Sequence, residues 1–139
     1  VVISSTLASS SKDTGALVVE GGLGVEGNIH SGGDIVAFSS SDVTLKKDIA
    51  PIENALEMIN KISGNTFTWN VKLTDLAPYE NGTKDTGILA QEVEALGLPG
   101  VTTTRGDGVK AVRYDRLIPV LIEAVKELTA KVKSLESNK

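Results

Sequence analysis

The chain has 139 residues, 18 acidic and 14 basic, for a net charge of −4, which leaves no basic stripe of the kind a nucleic-acid surface needs. It has no cysteine, which excludes disulfides and thiolate-held zinc, and a single histidine, His30, so any Ser-His-Asp triad would have to run through that residue. No apolar run approaches the ~18 residues of a membrane span, and no signal peptide opens the chain. Val1 begins inside an apolar pattern with no initiator Met, so the chain reads as a fragment of something longer.

Residues 1–40 are rich in Gly, Ser and β-branched residues. Seven glycines fall between Gly15 and Gly33. Between them lie short apolar pieces: Ala16-Leu17-Val18-Val19, Leu23, Val25, Ile29 and Ile35-Val36-Ala37-Phe38. The pieces are strand-like and the Gly pairs read as tight turns. None is long enough to build a core alone, so the stack needs further repeats or other chains beside it. An intertwined or solenoidal β structure is expected.

From residue 41 helical periodicity appears. Pro51-Ile52-Glu53 predicts the start of a helix whose apolar residues Ile52, Ala55, Leu56, Ile59 and Ile62 share one face, ended by Ser63-Gly64-Asn65. Thr66 to Val71 alternates as a half-buried strand. Residues 72–86 read as a long loop. A short helix from Gln91 to Leu96 is stopped by Gly97 and Pro99. Val101–Thr104 and Val109–Tyr114 flank Arg105-Gly106-Asp107-Gly108 as a hairpin. The last helix runs from about Asp115, a plausible N-cap, to Ser137. In it Ile118, Val125 and Val132 recur every seven residues, with Leu121, Leu128 and Leu135 three residues later. That is an a/d seam. With Leu117, Ile122 and Ala124 beside it, the wide face suits a trimer or packing on its own domain better than a bare dimer, while β-branched a with Leu d taken alone leans toward two strands, so the pattern does not settle the count.

Several patterns have plainer readings than function. Gly22-Leu23-Gly24-Val25-Glu26-Gly27 matches the dinucleotide fingerprint, but no helix can start in it to meet a pyrophosphate. Arg105-Gly106-Asp107 is a turn filled by Gly and Asp. Asn81-Gly82-Thr83 is a glycosylation sequon only in a secretory setting. His30 has no second ligand of its type and suits an exposed or pore-facing position. No cofactor and no metal are expected. The segment carrying chemistry is Ser39 to Lys47. It sits where the two compositions meet, and a Ser-Lys dyad needs no histidine. A lysine base must be neutral, which burial or a neighbouring cation such as Lys47 favours.

Ser41-Asp42-x-x-Leu45-Lys46, followed by Ile49, the Pro51-to-Ile62 helix and Phe67-x-Trp69, resembles the opening of the endosialidase-type intramolecular chaperone domain. Gly87-Ile88-Leu89-Ala90-Gln91-Glu92-Val93 and Val112-x-Tyr114-x-x-Leu117-Ile118-Pro119 resemble its later signatures, so the match spans 41–139 in order. The glycine stretch also looks like the Gly-Gly repeats that precede this domain in phage fibres. The resemblance implies an α+β fold class: residues 1–40 as the stump of a triple β-helix in an intertwined trimer, and 41–139 as a small α+β chaperone domain. A long C-terminal helix would then form a trimeric bundle or coiled coil. It implies a homotrimer whose folding client is the preceding fibre segment, with loops such as 72–86 clasping the strands, and no nucleic-acid or membrane partner. It implies assembly in the host cytoplasm, a mature fibre in the virion tail, and release of the chaperone by self-cleavage. Carried over by position, Ser41 is the nucleophile, Lys46 the base, and the cut lies between Ser41 and Asp42.

That cut has a chemical complication. Attack of the Ser41 hydroxyl on its own carbonyl closes a strained four-membered ring. Attack on the preceding carbonyl closes a five-membered ring and breaks Ser40–Ser41 instead. Cutting Ser41–Asp42 therefore calls for an activated water or a group from another chain. The rival functions are a non-catalytic trimerisation cap that stays attached and a receptor-binding tip. One Trp, two Tyr and two Phe are a sparse supply for the tip.

Overall fold

The computed structural model describes residues 1–25, 27–70 and 81–139, which divide into two units, Val1–Ala37 and Phe38–Lys139. In the first unit the described residues form turns and bends but no helix and no strand, and all are exposed except the half-buried Gly15. Its most ordered piece is polar: the Thr14 hydroxyl oxygen accepts from the Ser10 and Ser11 amides at 2.8 and 3.0 Å. The strand-like pieces of the glycine stretch thus do not pair within one chain. Each is too short to bury enough apolar surface to offset the entropy of ordering it.

The second unit is a small α+β domain. Helix α1 spans Ala55–Ile59, strand β1 Asn65–Thr68, strand β2 Lys84–Gly87, helix α2 Ala90–Glu94, strands β3 and β4 Thr102–Thr104 and Lys110–Val112, and helix α3 Ile118–Ser137. The strands make two antiparallel pairs. In one, Asn65 faces Gly87 and Thr68 faces Lys84; in the other, Thr102 faces Val112 and Thr104 faces Lys110.

Helix α1 begins four residues after Pro51. Asn54 takes a left-handed conformation, φ 55°, and breaks any turn started at the proline. Asn tolerates that conformation better than most residues. The orphan amides of the new helix start are met from far away: the Ala55 and Leu56 N–H groups donate to the two carboxylate oxygens of Glu127 on α3, at 2.8 and 2.9 Å.

Strand β1 keeps the expected alternation, and its pairing continues past Thr68. Trp69 N–H donates to Thr83 O at 2.9 Å, and Gly82 N–H to Trp69 O at 2.9 Å. Val71, the expected end of this strand, lies outside the described residues. So does most of the expected 72–86 loop, and its last residues are strand, not loop. Lys84-Asp85-Thr86 has no apolar alternation to announce a strand, and the pairing with β1 imposes it. Gly87 is the last residue of β2, and a Cβ there would sit 2.7 Å from the Tyr114 hydroxyl.

Helix α2 ends two residues early, at Glu94, and the chain leaves at Gly97 with φ 69°. The hairpin forms as expected. Gly108 (φ 84°) donates to Arg105 O at 2.9 Å, and Val109 N–H donates to Asp107 Oδ1 at 2.8 Å. Asp115 does not cap the last helix. It lies inside a 3-10 turn, Tyr114–Leu117, that runs into α3. Pro119 has no N–H to give the Asp115 carbonyl, which instead takes the Ile118 amide three residues on and so tightens the turn.

The core is small. Ala55, Val120 and Ala124 form one buried group beneath α1 and α3; Val93, Val101 and Leu117 form another beneath α2 and the hairpin. Leu98 packs against both. On α3, Val120, Ala124 and Glu127 face α1. The heptad residues lie roughly 100° further round the helix at 3.6 residues per turn. There Ile118, Leu121, Val125, Leu128, Val132 and Leu135 are 46–69 % exposed.

Candidate functional site

The segment from Ser41 to Lys46 folds back on itself by purely local means. Asp42 is extended (φ −62°, ψ 135°) and caps a single 3-10 turn, Val43–Leu45. Its carbonyl accepts from Leu45 N–H at 3.2 Å, and Val43 O accepts from Lys46 N–H at 3.1 Å. Its carboxylate oxygen Oδ1 accepts twice from Thr44, from the amide at 2.8 Å and from the hydroxyl at 2.6 Å. These bonds, the Thr44 hydroxyl first and its amide second, hold the Asp42 carboxyl below the ordinary carboxylate range.

The turn brings together the two residues singled out in the sequence. In a fully extended chain, five residues would separate Ser41 and Lys46 by roughly 16 Å. Here the Lys46 ammonium donates to Ser41 Oγ at 2.7 Å and to the Ser41 carbonyl oxygen at 3.0 Å. That carbonyl belongs to the Ser41–Asp42 peptide bond. Ser41, Asp42 and Lys46 are all exposed, as are Phe38, Val43, Leu45 and Ile49 around them.

A neutral lysine so placed has the valences for two tasks at once. Its lone pair can accept the Ser41 hydroxyl proton while an N–H donates to the Ser41 carbonyl. No group of three or more His, Cys, Asp or Glu among the described residues is placed to hold a metal ion. No helix among them is long and apolar enough to cross a membrane.

Two residues escaped the sequence reading. Thr44 had a usable signal, because Asp-x-Thr is the spacing of a side-chain cap on a turn. Glu127 had none, since its partners lie 71 and 72 residues away.

Comparison with known proteins gives a consistent picture. The family model Peptidase_S74, described as "Chaperone of endosialidase", matches residues 41–103, beginning at the serine of this site. The long tail fiber protein Gp37 of Enterobacteria phage K3 is 35 % identical over 106 residues, covering 72 % of this chain. Its counterpart from Enterobacteria phage T2 is 35 % identical over the same length. That of Salmonella phage S16 is 31 % identical over 104 residues. The matched stretch spans only 8, 7 and 13 % of those three proteins.

Proposed function

From the match of residues 41–103 to the chaperone-of-endosialidase family model, we propose that this chain belongs to that family and is the folding chaperone of a phage tail fibre. In this reading it trimerises, guides residues 1–40 and the fibre ahead of them into a triple β-helix, and then cuts itself free between Ser41 and Asp42. The fibre part stays with the virion tail and the chaperone part is released. The division at residues 40 and 41 and the Ser41–Lys46 dyad are part of the same proposal. The observation that carries it is the 2.7 Å contact of Lys46 Nζ with Ser41 Oγ.

Trimerisation draws support from α3. Its inward face is satisfied by α1, yet a regular heptad seam stays in water. A seam of that length is self-complementary, and large exposed apolar patches mark interaction surfaces. Assembly also bears on the chemistry. Closing three chains over the site would take Lys46 out of water, and desolvation favours the neutral amine a base requires. Cleavage would then wait for the assembled state.

Ring strain keeps Ser41 Oγ from its own carbonyl. The attacking oxygen therefore comes from a neighbouring chain's serine or from a water that Lys46 deprotonates. In either route the proton taken by Lys46 passes to the Asp42 nitrogen as the C–N bond breaks. The serine route leaves an ester that water then hydrolyses. Hydroxylamine added during cleavage would convert that ester to a hydroxamate at Ser41; an unmodified Ser41 carboxyl would assign the attack to water.

The deciding experiment is expression of wild type beside Ser41→Ala and Lys46→Ala, read by intact mass. Wild type is expected to give 1–41 and 42–139, with both variants uncut. A fragment starting at Ser41 would move the cut to Ser40–Ser41; cleavage of both variants would assign the break to host proteases, and cleavage of Ser41→Ala alone would assign the attack to the water that Lys46 deprotonates. An uncut wild-type trimer would favour the second reading, a trimerisation cap that stays attached, which the exposed seam of α3 supports without any chemistry.

A further inference from the structure

We propose that Thr44 is a positioning residue for the self-cleavage. Acting through the Asp42 carboxylate, its hydroxyl closes the turn that holds Lys46 against Ser41. The inference rests on the dyad reading and adds to it the device that sets the dyad's geometry.

Among the described residues, the dyad's geometry is supported only from within its own turn. Every residue from Ser41 to Lys46 is exposed, and none belongs to either buried group. No core packing dictates where Lys46 points, so the lysine meets the serine only while the chain keeps its turn. Two backbone bonds close that turn, at 3.2 and 3.1 Å, the long end of the range for N–H···O bonds. An isolated turn of that kind forms and breaks readily in water. The Asp42–Thr44 pair is the strong element. One carboxylate oxygen receives an amide and a hydroxyl from the same residue, the latter at 2.6 Å, a charge-assisted bond. Fixing Thr44 over Asp42 fixes the path of the next two residues and hence the origin of the Lys46 side chain. The lowered pKa of Asp42 is the same contact seen from the proton's side.

Asp42 has two duties in this scheme, since its nitrogen is also the leaving group of the cut. Thr44 has only one, which makes it the cleaner residue to change. The test follows the rate at which freshly refolded chains convert to 1–41 and 42–139, by denaturing gel and mass spectrometry. Thr44→Val keeps the β-branch and removes the hydroxyl; it should slow cleavage about 3- to 10-fold, the effect of losing one side-chain cap bond. Thr44→Ser should restore the wild-type rate. Asp42→Ala should be slower than Thr44→Val. Asp42→Asn, whose amide oxygen still accepts both bonds, should stay within about threefold of wild type. In an Asp42→Ala background Thr44→Val should cost nothing more, because the hydroxyl then has no partner.

Wild-type speed for Thr44→Val, while Ser41→Ala and Lys46→Ala remain uncut, would overturn the positioning role and leave the dyad standing. So would a Thr44→Ser chain as slow as Thr44→Val, or a full Thr44 effect without Asp42. Cleavage of Ser41→Ala, or an uncut wild type, would overturn the dyad and this inference with it. If Thr44→Val does not assemble, the Asp42→Ala and Asp42→Asn pair decides: equal slowing of the two would overturn the role of the acceptor oxygen.

Discussion

At the scale of single residues, three positions lend themselves to direct tests. Gly87 is one. A methyl group there would meet the Tyr114 hydroxyl at 2.7 Å and the Phe67 ring at 3.4 Å, and that hydroxyl accepts the Ile88 amide at 3.1 Å. Gly87→Ala should therefore destabilise the domain by about 1–3 kcal/mol through overpacking, read as a lower denaturation midpoint. An unchanged midpoint would mean Tyr114 swings away freely. Glu127 is the second. Bonds from the Leu56 and Ala55 amides, in that order, hold its carboxyl below the ordinary carboxylate range. A depressed folded-state value means that its stabilisation is complete above the unfolded value near 4.5 and disappears as pH falls through the folded one. Glu127→Ala should lower the melting temperature by several degrees at pH 7, and the gap to wild type should close toward pH 3. Amide exchange at Ala55 and Leu56 should quicken at the same time; unchanged exchange would show that another group caps α1. Thr44 is the third, and its test is given above.

At the scale of elements, the regular pieces announced themselves and the irregular junctions did not. The Arg105–Gly108 hairpin and the alternation of Phe67 and Trp69 follow from local rules, and both form. Those two rings meet edge to face, 5.1 Å apart at 85°. The start of α1 defeated the local rules. Pro51 favours a first turn, but the true start depends on Glu127, a contact no nearby residue predicts. The start of α3 was misplaced for a different reason: the missing Pro119 N–H converts the first turn to 3-10 geometry. The Ser41–Lys46 pairing could be suspected from residue type and position, while its geometry depends on an Asp-Thr contact that spacing alone only hints at. Helix α3 also makes the clearest prediction at this scale. Leu128→Glu puts a charge in the seam and touches neither buried group. If the proposed trimer forms through this seam, light scattering should show its mass falling from three chains to one while its far-ultraviolet circular dichroism stays near wild type. A variant that remains trimeric would place the interface elsewhere.

At the scale of the molecule, six buried apolar side chains are a thin core among the described residues, and thirteen large ones in Phe38–Lys139 lie in the open. A single chain is thus an incomplete object in energetic terms. Winding three chains in register is slow, because non-local pairing must precede the contacts that reward it. A domain that trimerises first raises the local concentration of the strands. On the proposed reading, the fibre released from that domain is held by its unfolding barrier, not by a reversible equilibrium. Cleaved fibre should accordingly refold poorly after denaturant, while the uncut Lys46→Ala trimer recovers. Equal recovery would remove the chaperone role.

The Glu127 clamp also sets a clock on the ribosome. Helix α1 has five residues, too few to persist alone, and the carboxylate that caps it is encoded 72 residues after Ala55. At roughly 5–20 residues per second, that carboxylate emerges about 4–14 seconds later. Until then the residues ahead of Glu127 have been made while the domain that would trimerise them, in the proposed function, is unfinished. On that reading a message broken before Glu127 yields a chain whose chaperone cannot complete α1, and such a chain cannot enter a fibre and spoil its two sound partners.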